Sequence, residues 1–273
     1  MKTSWKRGLG ALLLAAALAG CAQVNTTSGG AVGVNRTQTM LLSEQEVEQM
    51  SAKSYSQEVG KVRTAGRLNT DPALTARVRR VAQRLIAQTP VFRPDAARWK
   101  WEVNVADVPE LNAYAMAGGK IMVYSGLVKQ LKLTDDEMAA VIGHEISHAL
   151  REHSRESMSQ AYAQQMGLSV VGALAGLNQS QMNAAAMVSD VTFSKPHSRT
   201  MESEADIMGL ELMARAGYNP NAAVNVWKKM MSAGGGNGPE FLSTHPSGPT
   251  RIQDLQARIP LVMPLYQQAL SKR

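Results

Sequence analysis

Residues 144–148 read His-Glu-Ile-Ser-His, two imidazoles one helical turn apart with a carboxylate between them. On a helix the two rings project from nearly the same line, about 6 Å apart along the axis, and can share one ion. Neutral imidazole nitrogens bind Zn²⁺ without cancelling its charge. An ion held by three protein ligands keeps a fourth position where a water ionises near pH ~7. Glu145, beside that position, is placed to take the water's proton and hand it to a leaving amine. The chemistry this spacing serves is metal-assisted hydrolysis of peptide bonds.

The elements around the motif must hold these side chains in register. Thr134 followed three residues later by Glu137 forms a capping box, with acids in the first turn, so a helix is expected to begin near Asp135. On its wheel Met138, Ala139, Ile142, Ile146, Ala149 and Leu150 form a core-facing back, while His144, Ser147, His148 and Arg151 share the front. His153 would point away from His144 if that helix continued, and is read as a buried histidine near the site, not a ligand. The third ligand must come from elsewhere. Met201 to Asp206 opens a second periodic helix, where Glu202 lies on a small and apolar stripe with Ala205, Asp206, Gly209 and Met213. Glu204 shares the other face with Glu211 and Arg215 and reads as solvated, so Glu202 is the candidate ligand. Asp206, one turn on, can accept the far N–H of a ligating histidine.

These motifs, together with Ala216-Gly217-Tyr218-Asn219-Pro220, Ser243-Thr244-His245-Pro246 and Arg251, resemble those of the HtpX and Oma1-like zinc metallopeptidases, gluzincins related to the CAAX prenyl proteases. The likeness covers residues 43 to 260 and is strongest to the short bacterial lipoprotein members. It implies that His144, His148 and Glu202 hold one zinc ion, that Glu145 is the catalytic base, and that Asp206 supports a ligand. It further implies that His245 lies near the metal, where it either stabilises the transition state or blocks the open position in a latent form. Arg251 would orient His245 or meet substrate, with a solvated helix arginine as the plainer reading. His197, in a Ser194 to Arg199 stretch that departs from the family pattern, is an alternative regulatory ligand or an exposed loop residue.

Trp99 to Ala106 alternates apolar and polar residues as a half-buried strand does, and Asn112 to Met116 with Lys120 to Tyr124 reads as a hairpin turning at Gly118-Gly119. Ser125 is expected to cap a short helix to Leu131. The resemblance makes Asn112, Ala113, Tyr114 and Ala115 the edge strand beside the active helix. That strand would pair with substrate backbone and read it with broad specificity. Helices are also expected from Ser43, from Asp71-Pro72 to Gln88, from Asn219-Pro220 to Met231 and over Thr250 to Ala257. Met166 to Leu177 reads as a buried helix or a lid, too short to span a bilayer. The expected class is a mostly helical α+β domain with a small sheet.

Lys2, Lys6 and Arg7 precede an apolar run ending in Leu18-Ala19-Gly20-Cys21, which resembles a bacterial lipobox. Residues 1–20 are therefore read as a signal peptide, Cys21 as the lipidated residue, residues 21–42 as a flexible tether and residues 43–273 as the metallopeptidase domain. Ala22, where an aspartate would favour the inner membrane, directs the expectation to the periplasmic face of a Gram-negative outer membrane. The signal carries three of the net +7 charges, leaving +4 for the rest, too mild a balance for a nucleic-acid partner. With one cysteine no internal disulfide can form, so stability must come from the core and the metal. The expected substrates are misfolded or unassembled envelope proteins, with the outer-membrane assembly machinery as a candidate partner. The alternative is a periplasmic chaperone that rarely cuts.

Overall fold

The computed structural model describes residues 23–174, 198–233, 241–242, 245 and 249–272. The signal peptide, Cys21, His197, the last three residues of the Met166 to Leu177 segment, and Ser243, Thr244 and Pro246 lie outside them. The chain opens with two short paired strands, β1 (Gln23–Val24) and β2 (Gln38–Thr39), and then α1 (Glu44–Thr64). Helix α1 begins at the expected capping box, in which Ser43 accepts from the Glu46 N–H and Glu46 accepts from the Ser43 N–H. Helix α2 (Pro72–Ile86) starts as Asp71-Pro72 predicts, with the Asp71 carboxylate accepting from Leu74 N–H at 2.9 Å.

Strands β3 (Glu102–Ala106), β4 (Ala113–Met116) and β5 (Lys120–Tyr124) form one sheet in the order β3-β5-β4. β5 is central, parallel to β3 and antiparallel to β4. The turn into β5 needs two left-handed residues, and Gly118 (φ 73°) and Gly119 (φ 81°) supply them. β3 starts later than Trp99. The residues before it form 3₁₀ turns, and Trp99 and Trp101 pack ring to ring at 5.4 Å over that corner. Helix α3 (Ser125–Gln130) has Tyr124 and not the expected Ser125 at its cap position and no side-chain cap; Ser125 is its first residue, and its hydroxyl donates to Asp107 at 2.7 Å.

The remaining helices are α4 (Asp135–Leu150), α5 (His153–Leu174), α6 (Arg199–Arg215), α7 (Ala222–Ala233) and α8 (Pro249–Leu270). The result is the expected mostly helical α+β domain. Helix α4 is its axis: every residue from Glu137 to Leu150 is buried, because α2, α6, α7 and β4 all pack on it. The expected front and back of this helix are thus both interior. α4 and α6 cross at two glycines. A Cβ on Gly209 would sit 3.0 Å from the His144 nitrogen, and one on Gly143 would sit 3.2 Å from the Gly209 oxygen, so the backbones meet without side chains between them. Helix α8 runs past the expected Ala257 and carries Pro260 and Pro264 within it. Its apolar row Leu255, Ile259 and Val262 is buried and supports the helix where proline removes backbone donors.

The largest departure concerns the amino terminus. From Gln23 onward the expected tether is packed against the domain: Val32, Val34 and Met40 are buried, and Ser28 N–H donates to Phe92 O at 2.8 Å. This strap also overturns the solvated reading of Glu204 and Glu211. Both are buried, Glu211 accepting from Val32 N–H at 3.1 Å and from Arg215, and Glu204 from Arg36. Polar composition concealed the packing because its few apolar residues are widely spaced. Among the described residues no helix is long and apolar enough to cross a membrane.

Candidate metal centre

His144 and His148 lie one turn apart on α4 with their Nε2 atoms 3.0 Å from each other. Glu202, from the first turn of α6, brings its carboxylate to them, Oε2 at 3.4 Å from His144 Nε2 and Oε1 at 3.3 Å from His148 Nε2. Ser198 positions that turn by accepting from Met201 N–H at 3.3 Å. His245, held by its own N–H to Phe241 O at 2.9 Å and by its ring stacked on Phe241 at 4.4 Å, adds Nδ1 at 2.9 Å from Glu202 Oε1. One ligand atom from each of these four residues falls within 4.8 Å of the others, and all four are buried.

The donors fit a zinc ion. Asp206 Oδ1 lies 3.0 Å from His144 Nδ1, so that nitrogen carries the hydrogen and the Nε2 lone pair faces the cluster. Glu202 Oε2 is buried with no aligned hydrogen bond although Arg251 Nη1 is 2.8 Å away, and Glu145 Oε1 is likewise buried without one. Converging lone pairs and unsatisfied carboxylate oxygens in a dry interior are costly unless a cation meets them. The set of two imidazoles and a carboxylate is of the kind zinc takes with an open position.

The charges around this centre shift in ways its neighbours explain. Burial raises the Glu145 carboxyl above its usual range, against the pull of His245 and His144. Burial alone would raise Glu202, but the imidazoles around it, His144 foremost and then His148 and His245, hold it far below. His144 is lowered by burial and raised by Asp206 and Glu202, which win and bring it to about 9. Asp206 is held low despite burial, chiefly by Arg251, whose Nε and Nη2 reach its two oxygens at 2.5 and 2.8 Å. Arg251 lies 3.5 Å over the Trp227 ring, so the solvated reading of this arginine gives way to a buried clamp shared by Asp206 and Glu202.

Glu145 faces His245 Nε2 at 3.5 Å and takes a hydrogen bond from the Ala115 backbone. That contact sets β4 beside the active helix. β4 is the terminal strand of its sheet, with Ala113 and Ala115 paired to Val123 and Ile121 of β5 and Asn112 O accepting from Tyr124 N–H at 3.0 Å. The residues singled out in the sequence, His144, Glu145, His148, Glu202, Asp206, His245, Arg251 and Ala115, are therefore brought together. Trp227, Phe241, Glu204 and Arg36 were not foreseen. No spacing marks the first two, and Glu204 was visible only as an acid on a face that nothing local covers.

Residues 72–259 match the sequence model of Peptidase family M48. The mitochondrial metalloendopeptidase OMA1 of Schizosaccharomyces pombe is 36% identical over 188 residues, 68% of this chain and 53% of that protein. Metalloprotease LoiP of Escherichia coli is 26% identical over 255 residues, 91% of this chain and 94% of LoiP. The beta-barrel assembly-enhancing protease of Yersinia pestis is 27% identical over 215 residues, 73% of this chain and 42% of that protein. The chain spans about half the length of its OMA1 relatives from yeasts.

Proposed function

The chain belongs to peptidase family M48, and on that premise we propose that it is a zinc metalloendopeptidase of the bacterial envelope that cleaves misfolded or unassembled envelope proteins. The observation that carries the reading is the convergence of His144 Nε2, His148 Nε2 and the Glu202 carboxylate, with Glu145 beside them and off the line that the two histidines share on α4. His144, His148 and Glu202 would hold the zinc. When bound, zinc supplies Lewis acidity that polarises a scissile carbonyl and makes a water reactive near neutral pH.

Glu145 accepts the proton of the attacking water and returns it to the leaving amine, a task suited to a carboxyl whose pKa burial has raised. The Ala115 N–H bond fixes that carboxylate's orientation. β4, from Asn112 to Ala115, is the terminal strand beside the same helix and would hold an extended substrate by main-chain hydrogen bonds, in exchange for the bond of Ala113 N–H to Asn112 Oδ1. Such pairing reads backbone more than side chains, which suits a protease for unfolded chains. His245 stands among the ligand atoms and against Glu145, a place from which it meets the developing oxyanion or closes the site. His245→Ala separates the two: activity falls in the first case and rises in the second.

The likeness to the beta-barrel assembly-enhancing protease supports a link to β-barrel assembly, and the lipobox-like run ending at Cys21 supports a lipid anchor, for which we take the outer membrane as the site. With the strap packed from Gln23 onward, an acylated Cys21 would leave a leash of only a few ångströms per residue, so the domain would lie against the bilayer. The deciding experiment is casein digestion with and without a chelator. Chelation abolishes cleavage, and Glu145→Gln lowers kcat by about 10²–10⁴ while retaining zinc. Cleavage unchanged in Glu145→Gln overturns the protease reading and favours a chaperone.

A further inference from the structure

We propose that His153 and Glu204 are positioning residues for the metal: they fix the His148 ring in the tautomer that turns its Nε2 lone pair to the cation, and the amino-terminal strap holds Glu204 in place. The inference rests on the zinc reading above and concerns residues that the hydrolytic chemistry does not use.

The chain of contacts starts at His153, which is fully buried. Its Nε2 lies 3.0 Å from Glu204 Oε2 and its Nδ1 lies 2.8 Å from His148 Nδ1. An ionised carboxylate only accepts, so the hydrogen on that side belongs to His153 Nε2. A neutral imidazole then offers a lone pair at Nδ1, and the hydrogen between the two Nδ1 atoms must belong to His148. The other nitrogen of His148, Nε2, is left bare, 3.0 Å from His144 Nε2 and 3.3 Å from Glu202 Oε1, where the cation would sit. The opposite proton arrangement would put a hydrogen on the nitrogen that must bind metal.

The geometry depends on a break in the helix. α4 stops at Leu150, and Glu152 adopts a left-handed φ of 52° before α5 begins at His153. That turn brings His153 back under His148, where a continuous helix would carry it away.

Glu204 is in turn fixed by two arginines. Arg36 reaches it through Nε at 2.8 Å and Nη2 at 3.0 Å, and Arg151 through Nη2 at 3.2 Å. Arg36 also bridges to Glu156 at 2.6 and 2.9 Å, and Gln38 donates to Glu156 at 2.7 Å. Arg151, fully buried, donates to Asn25 Oδ1 at 3.0 Å, Thr27 Oγ1 at 3.2 Å and Arg36 O at 2.9 Å. The strap residues Asn25, Thr27, Arg36 and Gln38 thus enter this network, and without Arg36 the buried Glu156 would lose its arginine and Glu204 one of its two.

The test measures zinc affinity by chelator competition, the apoprotein melting temperature, and the histidine tautomers by two-bond ¹⁵N correlation in the ¹⁵N-histidine-labelled apoprotein. In the wild type the His148 hydrogen is expected on Nδ1. His153→Leu fills the same space without a polar atom and should weaken zinc about 10- to 100-fold. His153→Gln keeps an acceptor within reach of His148 and should recover most of that loss, a rescue that simple packing would not give. Glu204→Gln should weaken zinc in the same direction and leave the His148 tautomers mixed. The proposal is overturned if His153→Leu and Glu204→Gln bind zinc as the wild type does, or if wild-type His148 carries its hydrogen on Nε2. His148→Ala serves as the control: zinc retained there would sink the metal assignment itself, whereas the tautomer measurement on apoprotein decides the relay separately.

Discussion

The two histidines of α4 are backed in different ways. Behind His144 stands a carboxylate in direct contact, Asp206, clamped by Arg251, which itself lies over Trp227. Behind His148 the carboxylate is one ring removed: His153 intervenes, and Glu204 is clamped by Arg151 and Arg36. Both halves follow one plan of ligand, carboxylate and arginine, and α6 supplies both carboxylates as well as the acid Glu202. The difference lies in where the arginines come from. The His144 half closes on α8 near the carboxyl end, and the His148 half closes on a strap at the amino end. A metal site on two crossing helices is thereby tied to both ends of the chain.

The comparison can be broken outright by removing the ligands. His144→Ala and His148→Ala should each lose stoichiometric zinc by elemental analysis, and zinc retained in one of them would show that its half is not part of the site. Asp206→Asn should lower zinc affinity about 10- to 100-fold. It also removes one of the two carboxylates that hold the buried Arg251, leaving Glu202 at 2.8 Å, so the loss should stay below the about 3–5 kcal/mol of a fully broken buried pair, readable by denaturant unfolding. The effect on stability should exceed that of Glu204→Gln, because Arg36 and Arg151 keep Glu156 and backbone oxygens as partners.

Gly209→Ala acts on both halves together. Its methyl would meet the His144 nitrogen at 3.0 Å and should cost about 1–3 kcal/mol by forcing α4 from α6, with zinc weakened in parallel. Unchanged unfolding would mean that the crossing is looser than drawn. A smaller effect comes from pH. His144 in the metal-free protein is raised to about 9, so below that value zinc must displace its proton, and apparent affinity should fall by up to about tenfold per pH unit on acidification. The metal-free fold runs the other way. The His144 proton stabilises it fully below the ordinary histidine value of 6.5, and that contribution is lost as pH rises through about 9. Isothermal titration between pH 6.5 and 9 reads the first trend and chemical unfolding of apoprotein the second. The smallest change is expected for Arg36→Gln, whose side chain is one-third exposed. Screening limits its ion pairs to about 1 kcal/mol, with a slight loss of zinc affinity and none at the His144 half.

Much of the site was legible because its residues are bound to helical period. His144 and His148 at i and i+4, and Glu202 and Asp206 at i and i+4, fall on single lines whatever the rest of the chain does. The capping boxes at Ser43 and Thr134 are equally local, as is the glycine pair at the β-hairpin. Glu204 was misread for the opposite reason. A helix wheel reports which residues share a face and is silent on what covers that face, and here the cover comes from residues 168 positions away.

By itself, the sequence determined the motif and its spacing, most helix starts and the class of the domain, since these depend on side-chain type and on interactions within a few residues. Only the tertiary structure decided that Arg251 clamps Asp206, that His153 turns back under His148, and that residues 23–42 are part of the fold. Those three outcomes depend on a left-handed turn, a helix that continues through two prolines, and a polar segment whose arginine finds two buried carboxylates. Their energy comes from contacts between distant segments, which local period cannot encode.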